Sequence, residues 1–345
     1  VPNDESSPAS PGMRFGINFI QDAPLPDVIG WWKEAENAGF EWIGIPDSPI
    51  LVRELYVSCT AFAMNTSRAR FSPMVSNPIS RHPSVTAGAL FSLDELAPGR
   101  VALGIGSGDS AIYGIGLKGS TVQELSDYIT AVKGLLRGEE VTWNGRSFKA
   151  EWRHWSPPKD IKVYVSCHGP RVIKMAAQVA DGIISGHGVL PENVRYVQDL
   201  VAEGAGEVGR DPAAIDIWHH VMVCMAPTVD EAFVHASAGG AYFMARFTTE
   251  GKQIPEEHTE AIKQLAEQEN LAKHGRGNPD LVQMSKDLGV MDYLVDRAGG
   301  LIGPPEIMAD GIAELRRRGV DKVILLPLGE DKLPILRMIE REILG

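Results

Sequence analysis

A closed (β/α)8 barrel is the fold class that the sequence predicts, on three observations. From Arg14 onward, short β-rich runs alternate with helical patterns as far as the C-terminus, the alternation of a parallel α/β protein. Eight strand candidates with intervening helices occur within 345 residues, a count and length that suit a closed barrel better than an open doubly wound sheet. The glycine-rich turn GIGSGDS follows the fourth strand candidate, whereas a dinucleotide fingerprint would sit in the first βα turn.

The elements run as follows. RFGINFI (14–20) is the first strand, followed by an amphipathic helix over 26–38 that stops at Gly39, a glycine suited to a left-handed cap. EWIGIPDS (41–48) is the second strand and 51–64 its helix; ARFSPMVSNP (69–78) is the third, with a helix over 82–96 that ends before Pro98-Gly99. RVALGIG (100–106) is the fourth strand, and a long helix over 121–138 leads to EVTWNGRSFKA (140–150), whose Asn144-Gly145 marks a type I′ hairpin. KVYVSC (162–167) and DGIISG (181–186) are the fifth and sixth strands, with helices over 170–180 and 192–209. AIDIWHHVMVCMA (214–226) is the seventh, followed by a helix over 229–247 and a polar, charged insertion over 248–290. DKVILLP (321–327) is the eighth, framed by helices over 306–319 and 333–344. One domain over 13–345 is expected, with insertions near 140–158 and 248–290, behind a loose tail over 1–12 that is acidic and Pro/Ser-rich where a signal peptide would be cationic and then apolar.

Composition narrows the function classes. With 45 acidic against 33 basic residues, the formal net charge is −12, which offers no basic field to nucleic-acid backbones or anionic lipid. No run approaches the roughly 20 apolar residues of a membrane span. The three cysteines, Cys59, Cys167 and Cys224, are too scattered for a disulfide framework or a CxxC zinc site. A cytoplasmic protein acting on a small molecule is the resulting expectation.

In a barrel of this kind the active face is at the strand C-termini. The residues just past the strands are Gln21, Asp47-Ser48, Ser76-Asn77, Ser107-Gly108-Asp109, Cys167-His168-Gly169 and Gly186-His187. None is a lysine, against a Schiff-base aldolase, and the absence of HExxH and of His-x-His on the first strand argues against a hydrolytic metal site. GIGSGDS lacks the Lys-Ser/Thr of a P-loop and is one residue short of GxGxxG. Its glycines either permit tight packing and a turn, or let the backbone N–H groups of 107–109 approach a ligand with Asp109 accepting hydrogen bonds or a proton. Gly169-Pro170 is the better anion site, because Pro suits the first helical turn and the free N–H groups beside it bind anions; Arg171 and Lys174 add positive charge. His168 is either a ligand contact or a cap, and Asp47 either a plain N-cap or a site residue. His219 and His220 are adjacent on a strand, so at most one faces the interior. WRHWSPP (152–158) either lines an entrance or covers the barrel bottom, and Arg81-His82-Pro83 either brings charge to the mouth or starts a helix.

The blocks MRFGINF, AENAGFEWIGIPDS, SNPISRHPSVTAGALFSLDELAPGRVALGIGSGDSA, VYVSCHGPRVIKMAAQVADGIISG and GVDKVILLP together resemble the luciferase-like flavin and deazaflavin oxidoreductases, especially the methylenetetrahydromethanopterin reductase branch. The resemblance runs from about Met13 to the C-terminus. It implies a (β/α)8 barrel with FMN or coenzyme F420 at the strand C-termini. It also implies an acidic residue, Asp47, near the redox ring, and a bulge at Met74 and Val75 behind the ring, often with a non-prolyl cis peptide. Ser107, Gly108 and Asp109 would lie beside ring and substrate, and His168, Gly169, Arg171 and Val172 would hold the cofactor phosphate. Asn77 and His187, at the ends of their strands, join the cofactor-binding candidates. Two departures bear on proton handling: Ser48 stands where many deazaflavin members have His, and Asp109 where the sugar-phosphate dehydrogenase branch has Glu.

The leading expectation is hydride transfer between coenzyme F420 and a small organic substrate, with Asp109, Ser48 and Asp47 as the catalytic candidates and no metal. The turn Gly169-Pro170-Arg171-Val172-Ile173-Lys174 resembles the deazaflavin branch more than the Ser/Thr-rich loops of FMN monooxygenases. The alternatives are an FMN monooxygenase served by a separate flavin reductase and a non-catalytic flavin-binding protein of the same fold. A homodimer is what the resemblance implies for assembly. Substrate specificity is expected to depend on 248–290, 140–158 and the ends of the first and seventh strands.

Overall fold

The computed structural model describes residues 12–154, 156–245, 248–268, 277–329 and 332–340. Its strands are β1 (Arg14–Asn18), β2 (Trp42–Ile45), β3 (Arg70–Pro73), β4 (Ala102–Ile105), β5 (Val141–Trp143), β6 (Arg146–Phe148), β7 (Lys162–Cys167), β8 (Gly182–Ser185), β9 (Asp216–Met225), β10 (Ile302–Gly303) and β11 (Lys322–Leu328). Eight of them form one parallel sheet in the order β3-β2-β1-β11-β9-β8-β7-β4. Parallel bridges Phe71↔Val101 and Ser76↔Ile105 then join β3 to β4 and close the sheet on itself. The eight barrel strands are the eight read from the sequence.

Side-chain alternation along each strand separates an outer core from an inner one. Ile17, Ile43, Phe71, Leu103, Val165, Ile183, Val221 and Val323 face outward and belong to the large core shared with the helices. Trp42, Met74, Ala102, Tyr164, Ile184, Trp218 and Ile324 face inward and fill the barrel. Trp42 and Trp218 meet edge to face at 5.1 Å between ring centroids, and the Arg70 guanidinium lies 4.1 Å from the centre of the Trp42 ring. Below them Asp216 accepts from the Tyr164 hydroxyl at 2.8 Å, Trp218 Nε1 at 2.9 Å and Lys322 Nζ at 2.8 Å. Burying about 200 Å² of ring contributes roughly 5 kcal/mol per tryptophan before conformational entropy is counted. This plug fills the N-terminal end, so the open end is the one at the strand C-termini.

Several elements depart from expectation. The helix expected over 51–64 is Leu55–Asn65, because Glu54 caps it by accepting from Val57 N. The expected insertion at 248–290 is not merely a polar interruption. Helices Glu256–Glu267 and Pro279–Asp287 lie in it, and Ala261, Ile262, Leu265, Leu281 and Val282 pack them against helix Val229–Ala245. Helix Met291–Arg297 and the short β10, paired to β9, were not expected. The hairpin has positive φ at both Asn144 (49°) and Gly145 (73°), as type I′ requires. In the segment after it, Trp152 packs on Phe91 at 4.3 Å and Ser156 donates to Glu95, both on helix Pro83–Leu96, while Trp155 lies outside the described residues. The tail over 1–11 and the end over 341–345 lie outside the described residues. Among the described residues no helix is long and apolar enough to cross a membrane.

Candidate active site at the barrel mouth

Beyond β2, Asp47 is buried and does not cap a helix. Its Oδ2 accepts from Ser76 Oγ at 2.8 Å and from Arg81 Nη1 at 2.5 Å. Arg81 also reaches Glu54 at 3.2 Å and lies 5.2 Å from the centre of the Tyr56 ring. Burial opposes the Arg81 charge, but the bonds to Asp47 and Glu54 outweigh it and hold the guanidinium above its ordinary value. Arg81 thus brings charge to the mouth, while His82 starts the helix by accepting from Ser84 N. Ser48 bonds Ser110 Oγ at 3.2 Å, which ties the loop after β2 to the loop after β4.

Between β3 and the Asp47 partners, the Met74–Val75 peptide is cis. Asn18 Nδ2 donates to the Met74 carbonyl at 3.2 Å, and Gly44 makes room for Met74, since a Cβ at Gly44 would lie 2.6 Å from its sulfur. Val75 turns toward β4, where a Cβ on Gly106 would meet Val75 Cγ2 at 3.2 Å. Asn77 Oδ1 accepts from Ile79 N and Ser80 N.

The three alternating glycines of β4 have different reasons. Any Cβ at Gly104 would overlap the Pro73 carbonyl oxygen, so this glycine lets β3 and β4 close the barrel. Gly108 has φ +97° and sits against Ile112 and Asn77. Gly106 alone faces the mouth. Asp109 opens the short helix Ser110–Tyr113 with φ −138° and ψ −116°; its carbonyl accepts from Ile112 N and Tyr113 N, and its side chain does not cap that helix. The Ser107 carbonyl is taken by Ser120 N at 2.8 Å.

On the other side of β4, β7 and β8 end in two interlocked histidines. His168 Nδ1 donates to the Gly186 carbonyl at 2.9 Å, and His187 Nδ1 donates to the His168 carbonyl at 2.8 Å. His168 is therefore not a cap for helix Pro170–Val179, whose N-cap is Gly169 with no capping side chain. Its first-turn N–H groups lack intrahelical partners, and a Cβ on Gly169 would meet nothing within 4 Å. Lys174 does not supply charge there as expected, because it pairs with Glu203 of the next helix; Arg171 is exposed and Val172 half-buried.

Burial holds these imidazoles neutral. It pushes His168 down to about 3, His187 to about 4, and His219 and His220 each to about 4. An unfolded histidine titrates near 6.5, so the stability from burying neutral rings is complete above that pH and falls as the pH drops toward 4. Urea unfolding midpoints are expected to fall between about pH 7.5 and about pH 5; equal midpoints at the two would contradict the assignment of buried neutral rings.

The remaining observation is a set of buried polar atoms without partners. Asn18 Oδ1, both amide atoms of Gln21, Asn77 Nδ2, His187 Nε2 and both amide atoms of Asn193 are in this state. Burying such groups unpaired costs on the order of 1–3 kcal/mol each; those of Asn18, Gln21, Asn77 and His187 end or follow barrel strands at the open face, and Asn193 lies in the first turn of helix Pro191–Glu207. They fit a bound polar, planar cofactor that would complete their hydrogen bonds. His220, whose strand parity matches the inward Trp218 and Ile324, faces the same opening half-exposed. Sequence reasoning missed Asn18 and Arg297 as site neighbours, reached Lys252 only as part of the 248–290 insertion, and left open which of His219 and His220 faces the interior. Inward parity could have found Asn18; no sequence signal brings 252 and 297 to the sixth strand.

A parallel barrel with an uncapped helix start on one wall and a buried Asp–Arg pair behind a strand bulge on the other defines a cofactor-binding barrel of the α/β class. The sequence profile of the luciferase-like monooxygenase family matches residues 7–322. The chain belongs to that family. It is 28% identical over 340 residues to 5,10-methylenetetrahydromethanopterin reductase of Methanolobus tindarius, covering 96% of this chain and 100% of that one. The coenzyme F420-dependent tetrahydromethanopterin reductase of Methanopyrus kandleri superposes with a TM-score of 0.71 at 24% identity, over 96% of this chain and 99% of that one. An F420-dependent secondary alcohol dehydrogenase, solved with an F420–acetone adduct, superposes with a TM-score of 0.72 at 15% identity, over 96% and 98%.

Proposed function

We propose that this protein is an oxidoreductase that transfers hydride between coenzyme F420 and a small organic substrate. The observation that carries the reading is the uncapped, unobstructed helix start at Gly169. It shares the mouth with the Met74–Val75 bulge and the Asp47–Arg81 pair, with only β4 between its own strand, β7, and the β3 that leads into the bulge. A ligand that places a phosphate at the first and a flat ring against the second fits this mouth. The F420-dependent relatives favour a deazaflavin as that ligand. When bound, the deazaflavin supplies the hydride chemistry. The residues hold and orient it: Gly169 and Val172 N–H groups take the phosphate, with His168 and His187 fixing their loop, and Val75, Gly106, Ser107 and Gly108 form a wall poor in side chains. Asn77 Nδ2 offers a donor at the ring edge. Asp47 serves through Arg81 and Ser76 by fixing the bulge, and Asp109 and Ser48 handle the proton.

The test is spectroscopic. Purified protein titrated with F420 is expected to quench its fluorescence saturably, and to change its absorbance only when a substrate is added. Saturable FMN binding with oxygen uptake in the presence of a flavin reductase, and none with F420, would replace this reading by the flavin monooxygenase one that the family's description favours.

Gly169→Leu isolates the phosphate site. Gly169 has φ −111°, which any residue adopts, and open space beside it, so unfolding midpoints should stay within about 0.5 kcal/mol of wild type. The side chain would fill the space meant for an anion, and F420 affinity should fall on the order of 100-fold, the loss of two charge-assisted hydrogen bonds. Unchanged affinity would remove the anion site from this helix.

A further inference from the structure

We propose that Lys252, carried by the 248–290 insertion and held in place by Arg297, recognises the phosphate group of the ligand at the Gly169 helix start. The proposal rests on the function proposed above and deepens it. Gly251 is in the left-handed region (φ +70°), and a Cβ on it would lie 2.8 Å from Pro170 Cγ and 3.7 Å from the Tyr196 hydroxyl. The insertion backbone therefore lies directly over the first residue of helix Pro170–Val179. Lys252, the next residue, is 6% exposed.

Arg297 holds this arrangement. Its Nη2 donates to the carbonyls of Lys252 and His187, both at 2.5 Å, and its Nη1 donates to the Gln253 carbonyl at 2.8 Å and the Tyr293 hydroxyl at 2.6 Å. One side chain thus staples the insertion to the loop after β8. All four acceptors are neutral, the guanidinium is 4% exposed, and Glu192 is the carboxylate that favours its charge without a direct bond. Burial works against that charge.

Two further groups in the same corner lack partners. His187, 2% exposed, uses Nδ1 on the His168 carbonyl and stacks on Tyr196 at 5.3 Å, which leaves Nε2 at the opposite edge of the ring unsatisfied. Asn193, fully buried, has neither amide atom bonded. The charge of Lys252 also helps to keep His168 and His187 neutral, so it lies within electrostatic reach of both. The charge of Lys252, an uncapped helix start and the unsatisfied atoms of His187 and Asn193 occur in one corner, and a phosphate is the group that such donors recognise.

The experiment compares ligands with and without phosphate. Wild type, Lys252→Met and Lys252→Arg are titrated with F420 and with its phosphate-free deazaflavin chromophore, and in parallel with FMN and riboflavin. Lys252→Met should weaken the phosphate-bearing ligand at least tenfold and leave the phosphate-free one unchanged; Lys252→Arg should recover most of the loss. Equal weakening of both ligands, or of neither, overturns the proposal. Wild type that binds FMN but not F420 overturns the F420 reading alone, because the FMN–riboflavin pair still reports on Lys252. Wild type that binds none of the four overturns both.

Discussion

Asp109→Asn is expected to lower turnover by a factor on the order of 10² to 10⁴, the usual contribution of a positioned general acid or base, with F420 affinity nearly unchanged. The substitution keeps the shape of the side chain and removes its proton. Asp109 stands at the foot of helix Ser110–Tyr113, and its backbone carbonyl, not its carboxylate, starts that turn. Gly106 and Ser107 precede it at the end of β4, where the ring and its substrate are proposed to approach. A pH profile of kcat/KM that loses one limb in the variant would assign that limb to Asp109. Wild-type turnover in the variant would remove Asp109 from proton handling and leave Ser48 as the candidate.

Asp47→Asn should act first on stability and through it on the site. The Asp47 side chain is 2% exposed and bonds both Ser76 and Arg81, whose own side chain is 14% exposed. Removing one partner of a buried ion pair costs on the order of 3–5 kcal/mol, because the other is left uncompensated. Here the expected cost is at the lower end, about 3 kcal/mol, since Arg81 keeps Glu54. In urea unfolding, the double variant Asp47→Asn/Arg81→Met should recover part of that loss. A cost below about 1 kcal/mol would mean that the pair behaves as an exposed one. F420 affinity should fall along with stability, since Ser76 follows the Met74–Val75 bulge against which the ring is proposed to rest. Intact affinity in a destabilised variant would separate the bulge from the ion pair.

The strands and most helices were legible because their signals are local. KVYVSC is a strand with the expected bounds, and Asn144-Gly145 makes the predicted turn, because apolar alternation and positive φ are properties of a few adjacent residues. The insertion was misread for the complementary reason. Its helices bury Ala261, Ile262 and Leu265 on a neighbour distant in sequence, and a narrow apolar stripe among charges gives little indication of such a partner. At the site, Gly169-Pro170 was readable as a helix start from a dipeptide. Lys174, four residues on, was read as its cation, but Glu203 takes it.

By itself the sequence determined the eight-strand alternation, the barrel it closes into, and the loops that reach the open face, because each follows from periodicity and turn chemistry within about ten residues. Only the tertiary structure decided which glycine of VALGIGSG serves closure and which faces the mouth. It also decided that Asp47 meets Arg81 instead of capping a helix, and that His220 rather than His219 points inward. Arg297 fastening residue 252 over Pro170 was decided at the same level. Those outcomes depend on which strand lies beside which and on what counter-charge a folded neighbour brings. Such contacts join residues 29 to 110 positions apart, and no local pattern carries them.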